Sequence, residues 1–149
     1  TTLMAQNRGA GKKDRVKEGF HCGMRIELTY GILIALIVHL GAAPIMKLFV
    51  TDPEVVQLGV RFLRTVSLFY LMPSVTNGIQ GFFRGIGDLN VTLISSLLNM
   101  AGRVAAAAVF VLMWKMEIEA LPYSYAFGWL LMMLYEIPAL VHFLRRDQL

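Results

Sequence analysis

Four stretches of the chain are apolar almost without interruption, at residues 28–49, 62–83, 91–114 and 123–144. A helix rises 1.5 Å per residue, so about 20 apolar residues cross the hydrocarbon core of a bilayer. Each stretch reaches that length, which predicts four membrane-spanning α-helices. The polar breaks between them carry boundary signals. Thr51-Asp52-Pro53-Glu54 reads as a helix start, with a capping carboxylate, proline at the first helical position and an acid in the first turn. Gly85-Ile86-Gly87-Asp88 stops one span and opens the next, and Pro122 restarts the chain for the fourth. Ahead of the first span, the basic stretch containing His21 and Cys22 reads as a loop.

The spans are not uniformly apolar. The second carries Ser67, Tyr70, Ser74, Asn77, Gly81 and Arg84 at steps of three and four, which is one face of a helix, with Pro73 beside it as a source of a kink. Thr92, Ser96, Asn99, Arg103 and Ala106 form such a stripe on the third, and Tyr125, Trp129, Met132 and Glu136 on the fourth. Small and weakly polar residues let membrane helices pack closely. Charges are different, because one at the bilayer centre costs about 2.5–3.5 kcal/mol on insertion scales and needs a partner or water. Arg103 and Glu136 lie at depths about 6 Å apart, so an ion pair between them is the expected arrangement. Asn77, Gln80, Asn99, Arg103 and Glu136 are the candidate lining of a substrate or ion pathway. His21, His39 and His142 have no metal-ligand spacing and read as structural, and Met132 and Met133 as packing residues.

Composition sharpens this picture. The chain of 149 residues is 56% hydrophobic, 16% charged and has a mean hydropathy of +0.59, where soluble domains carry about 25% charged residues. Its net charge of +4 sits on the flanks of the apolar runs, as in membrane proteins, rather than in a nucleic-acid-binding patch. With the loop before the first span inside, nine Lys and Arg fall inside and four outside, and Arg103 lies within a span. That count places the C-terminus, with Arg145 and Arg146, in the cytoplasm of a multi-pass protein of the plasma (inner) membrane. Trp114, Tyr123 and Tyr125 then mark the outer interface. The single cysteine excludes an internal disulfide, and no metal cluster is expected. Gly9-Ala10-Gly11-Lys12 lacks the earlier glycine and following hydroxyl of a phosphate loop, Gly85-Ile86-Gly87 lacks the third glycine of a dinucleotide fingerprint, and no hydrolase motif is present. No enzymatic activity is expected. Thr1 follows no start signal, and the chain reads as part of a longer one.

One resemblance covers essentially the whole length. Gln6-Asn7-Arg8-Gly9-Ala10-Gly11-Lys12 with Arg15, the Leu48-Phe49 and Asp52-Pro53-Glu54-Val55 segment, Arg84-Gly85-Ile86-Gly87-Asp88, and the Asn99–Arg103 spacing follow one another as in the multidrug and toxic compound extrusion (MATE) transporters. Gln6, Asn7, Gly9, Gly11, Arg84, Gly85 and Gly87 carry the cytoplasmic loop motifs. The resemblance implies an all-α bundle: the end of the eighth helix and helices nine to twelve of a twelve-helix protein, residues 1–149 forming the C-terminal portion of its second lobe. It implies export of drug-like or cationic molecules by cation-coupled alternating access, with sodium or protons as coupling ion, no further cofactor, and the rest of the transporter and membrane lipid as partners. The chain departs from the family in having no carboxylate in its second span, so Glu136 is the only deeply placed acid. A lipid-linked oligosaccharide flippase of the same superfamily and a small non-transporting membrane subunit are the alternative readings.

Overall fold

The computed structural model describes residues 1–145; Arg146 and the three residues after it lie outside the described residues. The described chain is helical, with no strand: α1 (Thr2–Gly9), α2 (Lys13–Phe49), α3 (Pro53–Ser67), α4 (Leu71–Gly85), α5 (Leu89–Leu112) and α6 (Ala120–Arg145). Three helices are long and apolar enough to cross a membrane, and α3 with α4 makes a fourth candidate broken by a 54° bend.

The first correction concerns the basic stretch before span one, which is helix rather than loop. It forms the beginning of the 37-residue α2 and includes His21 and Cys22. Val16 and Phe20, four residues apart, are buried against the end of α4 in one apolar cluster with Met4, and Met24 continues the stripe. That buried face, on a segment without proline, carries the helix back through the charged residues. At 1.5 Å per residue α2 is about 55 Å long.

The second correction concerns the continuous polar face of span two; its start at Asp52-Pro53 and its kink near Pro73 are as the sequence indicates. The span begins at Pro53, where Asp52 Oδ1 accepts from the backbone N–H groups of Glu54 and Val55 at 2.8 and 3.4 Å. It is broken at residues 68–70, where the N–H groups of Leu68, Phe69 and Tyr70 bond three residues back instead of four. Pro73 explains the place: it has no N–H for the Phe69 carbonyl, and its ring crowds that carbonyl, which Met72 N–H takes up at 2.9 Å. The tightened turn deprives the Arg64 carbonyl of its helical partner. Ser67 Oγ donates to it at 2.8 Å, and His39 Nδ1 of α2 lies 3.2 Å from it and 3.0 Å from Ser67 Oγ. His39, read as an ordinary structural histidine, thus ties α2 to the break. The bend also divides the polar face expected to run unbroken from Ser67 to Arg84.

Two motif glycines do the same job. Gly11 and Gly87 have φ of +68° and +79°. In each case the glycine N–H bonds three residues back and the next N–H five back, Lys12 to Asn7 at 2.9 Å and Asp88 to Phe83 at 3.0 Å, which closes the preceding helix. Asp88 then caps α5 through Asn90 N–H. Gly87→Ala should cost about 1–2 kcal/mol through the left-handed backbone alone, and Gly9→Ala, with open space and ordinary φ, close to nothing. Denaturant unfolding in detergent measures the difference, and equal losses would remove this role.

α4 lies at the centre, touching α1, α2, α5 and α6. α5 and α6 pack along small residues, with Gly102 against Leu131 and Gly128 against Arg103. At the far end Arg61 of α3 binds Glu119 through Nε at 2.6 Å and Glu117 at 3.5 Å, clasping the α5–α6 loop. Glu119's own backbone N–H, then Arg61, hold its carboxyl below the usual glutamate range. Outward, the bundle is bare: only 6% of the most apolar window of α2 is covered, and Ile37, Leu40 and Leu48 are exposed. Such a surface suits lipid or further helices, not water.

Candidate functional site

α4 presents two polar faces. The one towards α5 and α6 carries Gln80, whose Nε2 donates to Glu136 Oε1 at 3.1 Å and to Ser95 Oγ at 3.2 Å. Ser95 Oγ donates in turn to the Thr92 carbonyl at 3.1 Å. Local sequence positions these groups. On α6, Ser124, Gly128, Met132, Glu136 and Leu140 recur every four residues and are buried; on α5, Val91, Ser95, Gly102 and Ala106 are the buried positions. The small residues bring the helices together, and Glu136 and Ser95 share the seam.

Glu136 is fully buried, as is Ser95, and Gln80 is 7% exposed. Glu136 Oε2, Thr92 Oγ1 and Asn99 Nδ2 are buried without a hydrogen-bond partner among the described residues. No basic side chain forms an ion pair with Glu136 among them either. A buried carboxylate in that state costs several kcal/mol, which a proton or a bound cation relieves. Among the described residues no trio of His, Cys, Asp or Glu converges as a metal site.

The expected Arg103–Glu136 pair is not formed. Arg103 Cζ stands 3.8 Å from the centre of the Tyr125 ring, a cation–π contact, and Tyr125 in turn meets Trp129 and Phe62 at 6.1 and 6.2 Å. Gly128 is the reason. It admits the Arg103 stem between the helices and aims its head three residues back along α6, whereas Glu136 lies eight residues the other way, about 12 Å.

The other predicted residues separate. Asn99 lies beside Gly128 on α5. Asn77 is exposed on the opposite face of α4, lining cavities against α2. Gln6, Asn7 and Gly9 end α1, where Asn7 Nδ2 donates to the Leu3 carbonyl at 2.8 Å. Arg84 and Gly85 end α4, and a Cβ at Gly85 would lie 2.9 Å from Met4 Cβ and 3.0 Å from the Thr1 carbonyl. One residue of the site escapes the sequence reading: Ser95, whose neighbour Ser96 is exposed; the signal is its four-residue step from Val91 on the small-residue face.

An all-helical bundle sheathed in exposed aliphatic side chains, with polar groups held between its helices, defines a multi-pass membrane protein. The MatE family model matches residues 1–110, and the chain belongs to that family of transporters. It is similar to the probable multidrug resistance protein NorM of Thermotoga maritima, 23% identical over 112 residues, which are 74% of this chain and 24% of that protein. The protein of the same name from Bacillus cereus is 29% identical over 90 residues, 60% of this chain and 20% of the relative. That of Bacillus licheniformis is 32% identical over 79 residues, 53% and 18% respectively. The chain thus spans about a quarter or less of the relatives' length. No solved structure matches it.

Proposed function

We propose that the chain forms part of a secondary active exporter of drug-like or cationic molecules, in which sodium or proton binding at Glu136 biases alternating access. The observation that carries this reading is the buried Glu136, held on one oxygen by Gln80 and left open on the other. Membership of the MatE family and the names of the relatives support the transport of drugs. In this reading α1–α6 belong to one lobe, its C-terminus faces the cytoplasm, and further helices of the same twelve-helix polypeptide cover the bare faces. Coupling then works through charge. Neutralised, Glu136 rests comfortably in the α4–α5–α6 seam; ionised and empty, it favours a state in which water reaches it.

A flippase for diphosphate-linked lipids would need a cationic cavity, whereas the buried cluster holds the acid Glu136, and Arg103, read as the deep basic residue, is spent on Tyr125. The test is ion-driven flux of tetraphenylphosphonium in liposomes holding a transporter that contains this chain. An imposed sodium or proton gradient is expected to drive accumulation that collapses with the gradient. Flux indifferent to both gradients, or movement of a diphosphate lipid instead, would overturn the proposal.

A further inference from the structure

Which ion Glu136 takes depends on the atoms around its carboxyl. Ser95 has one hydroxyl hydrogen, and its Oγ gives it to the Thr92 carbonyl at 3.1 Å. Gln80, 3.2 Å from Ser95 Oγ, must therefore be the donor in that contact. A side-chain amide donates only through its NH2 group, so the nitrogen end of Gln80 faces the seam. The same Nε2 donates to Glu136 Oε1 at 3.1 Å. Both hydrogens of the amide are thus spent on the carboxyl and its neighbour. Gln80 brings nitrogen to Glu136, not oxygen.

A hard cation takes about six oxygen ligands. Around Glu136 the supply is short. Oε1 already accepts from Gln80, and Ser95 Oγ accepts from the same amide. Oε2 and the hydroxyl of Thr92, one turn from Ser95 on α5, are the oxygens without a partner among the described residues. The Gln80 hydrogens also place positive charge beside the carboxyl, where a cation's further ligands would stand. Space is as scarce as oxygen. Oε2 and Thr92 Oγ1 are sealed, so no space of a water's size adjoins either. Glu136 and Ser95 have no exposed surface, and a further helix could reach them only by parting α4, α5 and α6. A proton needs one lone pair and no room, and Oε2 offers that.

We infer that Gln80 makes the Glu136 site selective for a proton over sodium, by presenting its amide nitrogen where an oxygen ligand would be needed; this rests on the coupling role proposed for Glu136 and adds the identity of its ion. The surrounding charges do not complete a cation shell. Arg84, at the end of α4, acts on Glu136 from a distance, Arg103 of α5 is turned to Tyr125, and Arg61 of α3 is held by Glu119 and Glu117. On α6 itself, Tyr135 packs against the apolar cluster and His142 is exposed in the last turn.

Infrared difference spectra of a transporter that contains this chain, parent against Glu136→Gln, isolate the carbonyl stretch of the protonated Glu136 carboxyl. The stretch is expected to appear on acidification at the same pH in sodium chloride as in choline chloride. A sodium ion competing for the carboxylate would lower that pH by about one unit for each tenfold rise in sodium above its dissociation constant. Such a shift in the parent, or no carbonyl stretch lost with Glu136→Gln at any pH, would overturn the inference. Gln80→Glu replaces the amide hydrogens with oxygen. It is expected to bring in the sodium shift and about tenfold more sodium-driven tetraphenylphosphonium flux than the parent shows, the scale of one charge-assisted contact. A folded Gln80→Glu protein indifferent to sodium would remove Gln80 as the selecting residue, and the parent spectra decide the ion whether or not that variant folds. Gradient-driven flux that survives Glu136→Gln is a separate result, which would sink the coupling role rather than the choice of ion.

Discussion

Glu136→Gln should leave the bundle folded and reduce ion-driven drug flux to background in a transporter that contains this chain. Glutamine has nearly the volume of glutamate, and its carbonyl oxygen can accept from Gln80 Nε2 as Glu136 Oε1 does at 3.1 Å. It cannot give up a proton or carry the negative charge a cation requires. Folding therefore sees an isostere while coupling sees a group frozen in its neutral form. Glu136→Leu is the contrasting variant. It deletes the acceptor of a buried donor, leaving Gln80 with Ser95 alone, and should cost about 1–3 kcal/mol and lower the folded yield. Folded yield by size-exclusion chromatography and gradient-driven flux in liposomes are the two measurements. Full flux in folded Glu136→Gln would reduce Glu136 to a structural acceptor.

The largest effect on stability is expected from Gly31→Ala. A methyl group at Gly31 would overlap Ser74 Oγ, come to 3.0 Å of Ser74 Cβ and approach the Tyr70 carbonyl at 3.5 Å. Ser74 cannot simply rotate away, because its Oγ donates to that Tyr70 carbonyl at 3.0 Å beside the broken turn. Overpacking of this kind costs about 1–3 kcal/mol, here by separating α2 from α4. Gly78→Ala meets only the tip of Met24, at 2.8 and 2.9 Å, and a flexible thioether can move, so its cost should be smaller. Adding Ser74→Gly to Gly31→Ala removes the colliding atoms and should recover most of the loss. Thermal unfolding followed by circular dichroism would show the order; a Gly31→Ala protein as stable as the parent would contradict it.

The sequence revealed the helices far better than the site. Long apolar runs and punctuating Asp52-Pro53 and Gly85–Asp88 segments are local signals, and they mark where spans begin and end. The helical stretch from Lys13 was obscured because its charged residues outnumber the Val16, Phe20 and Met24 stripe that holds it. The partners of Arg103 and Glu136 depended on rotation about the helix axes, which depth arithmetic ignores. Both charges are deep, yet Gly128 and the small face of α5 turn one towards Tyr125 and the other towards Gln80. Ser95 and Ser96 are adjacent in sequence and chemically alike, and only the packing of α5 on α6 tells them apart. Span two's continuous polar face failed for a related reason: the backbone changes its hydrogen-bonding register ahead of Pro73, so residues on either side no longer share an axis.

The length of α2 has a mechanical consequence. A rod of about 55 Å set in a hydrocarbon layer of about 30 Å leaves roughly 25 Å outside it. Most of that excess is the charged beginning of the helix, joined to α1 by the Gly11 turn. Pivoting in the layer, such a rod acts as an indicator needle: a tilt of about 10° swings the protruding tip by about 4 Å, more than many side-chain contacts tolerate. In the proposed exporter, rocking of the span between two access states would therefore be felt in water at the basic turn as a change in position, well away from the lipid where the movement starts.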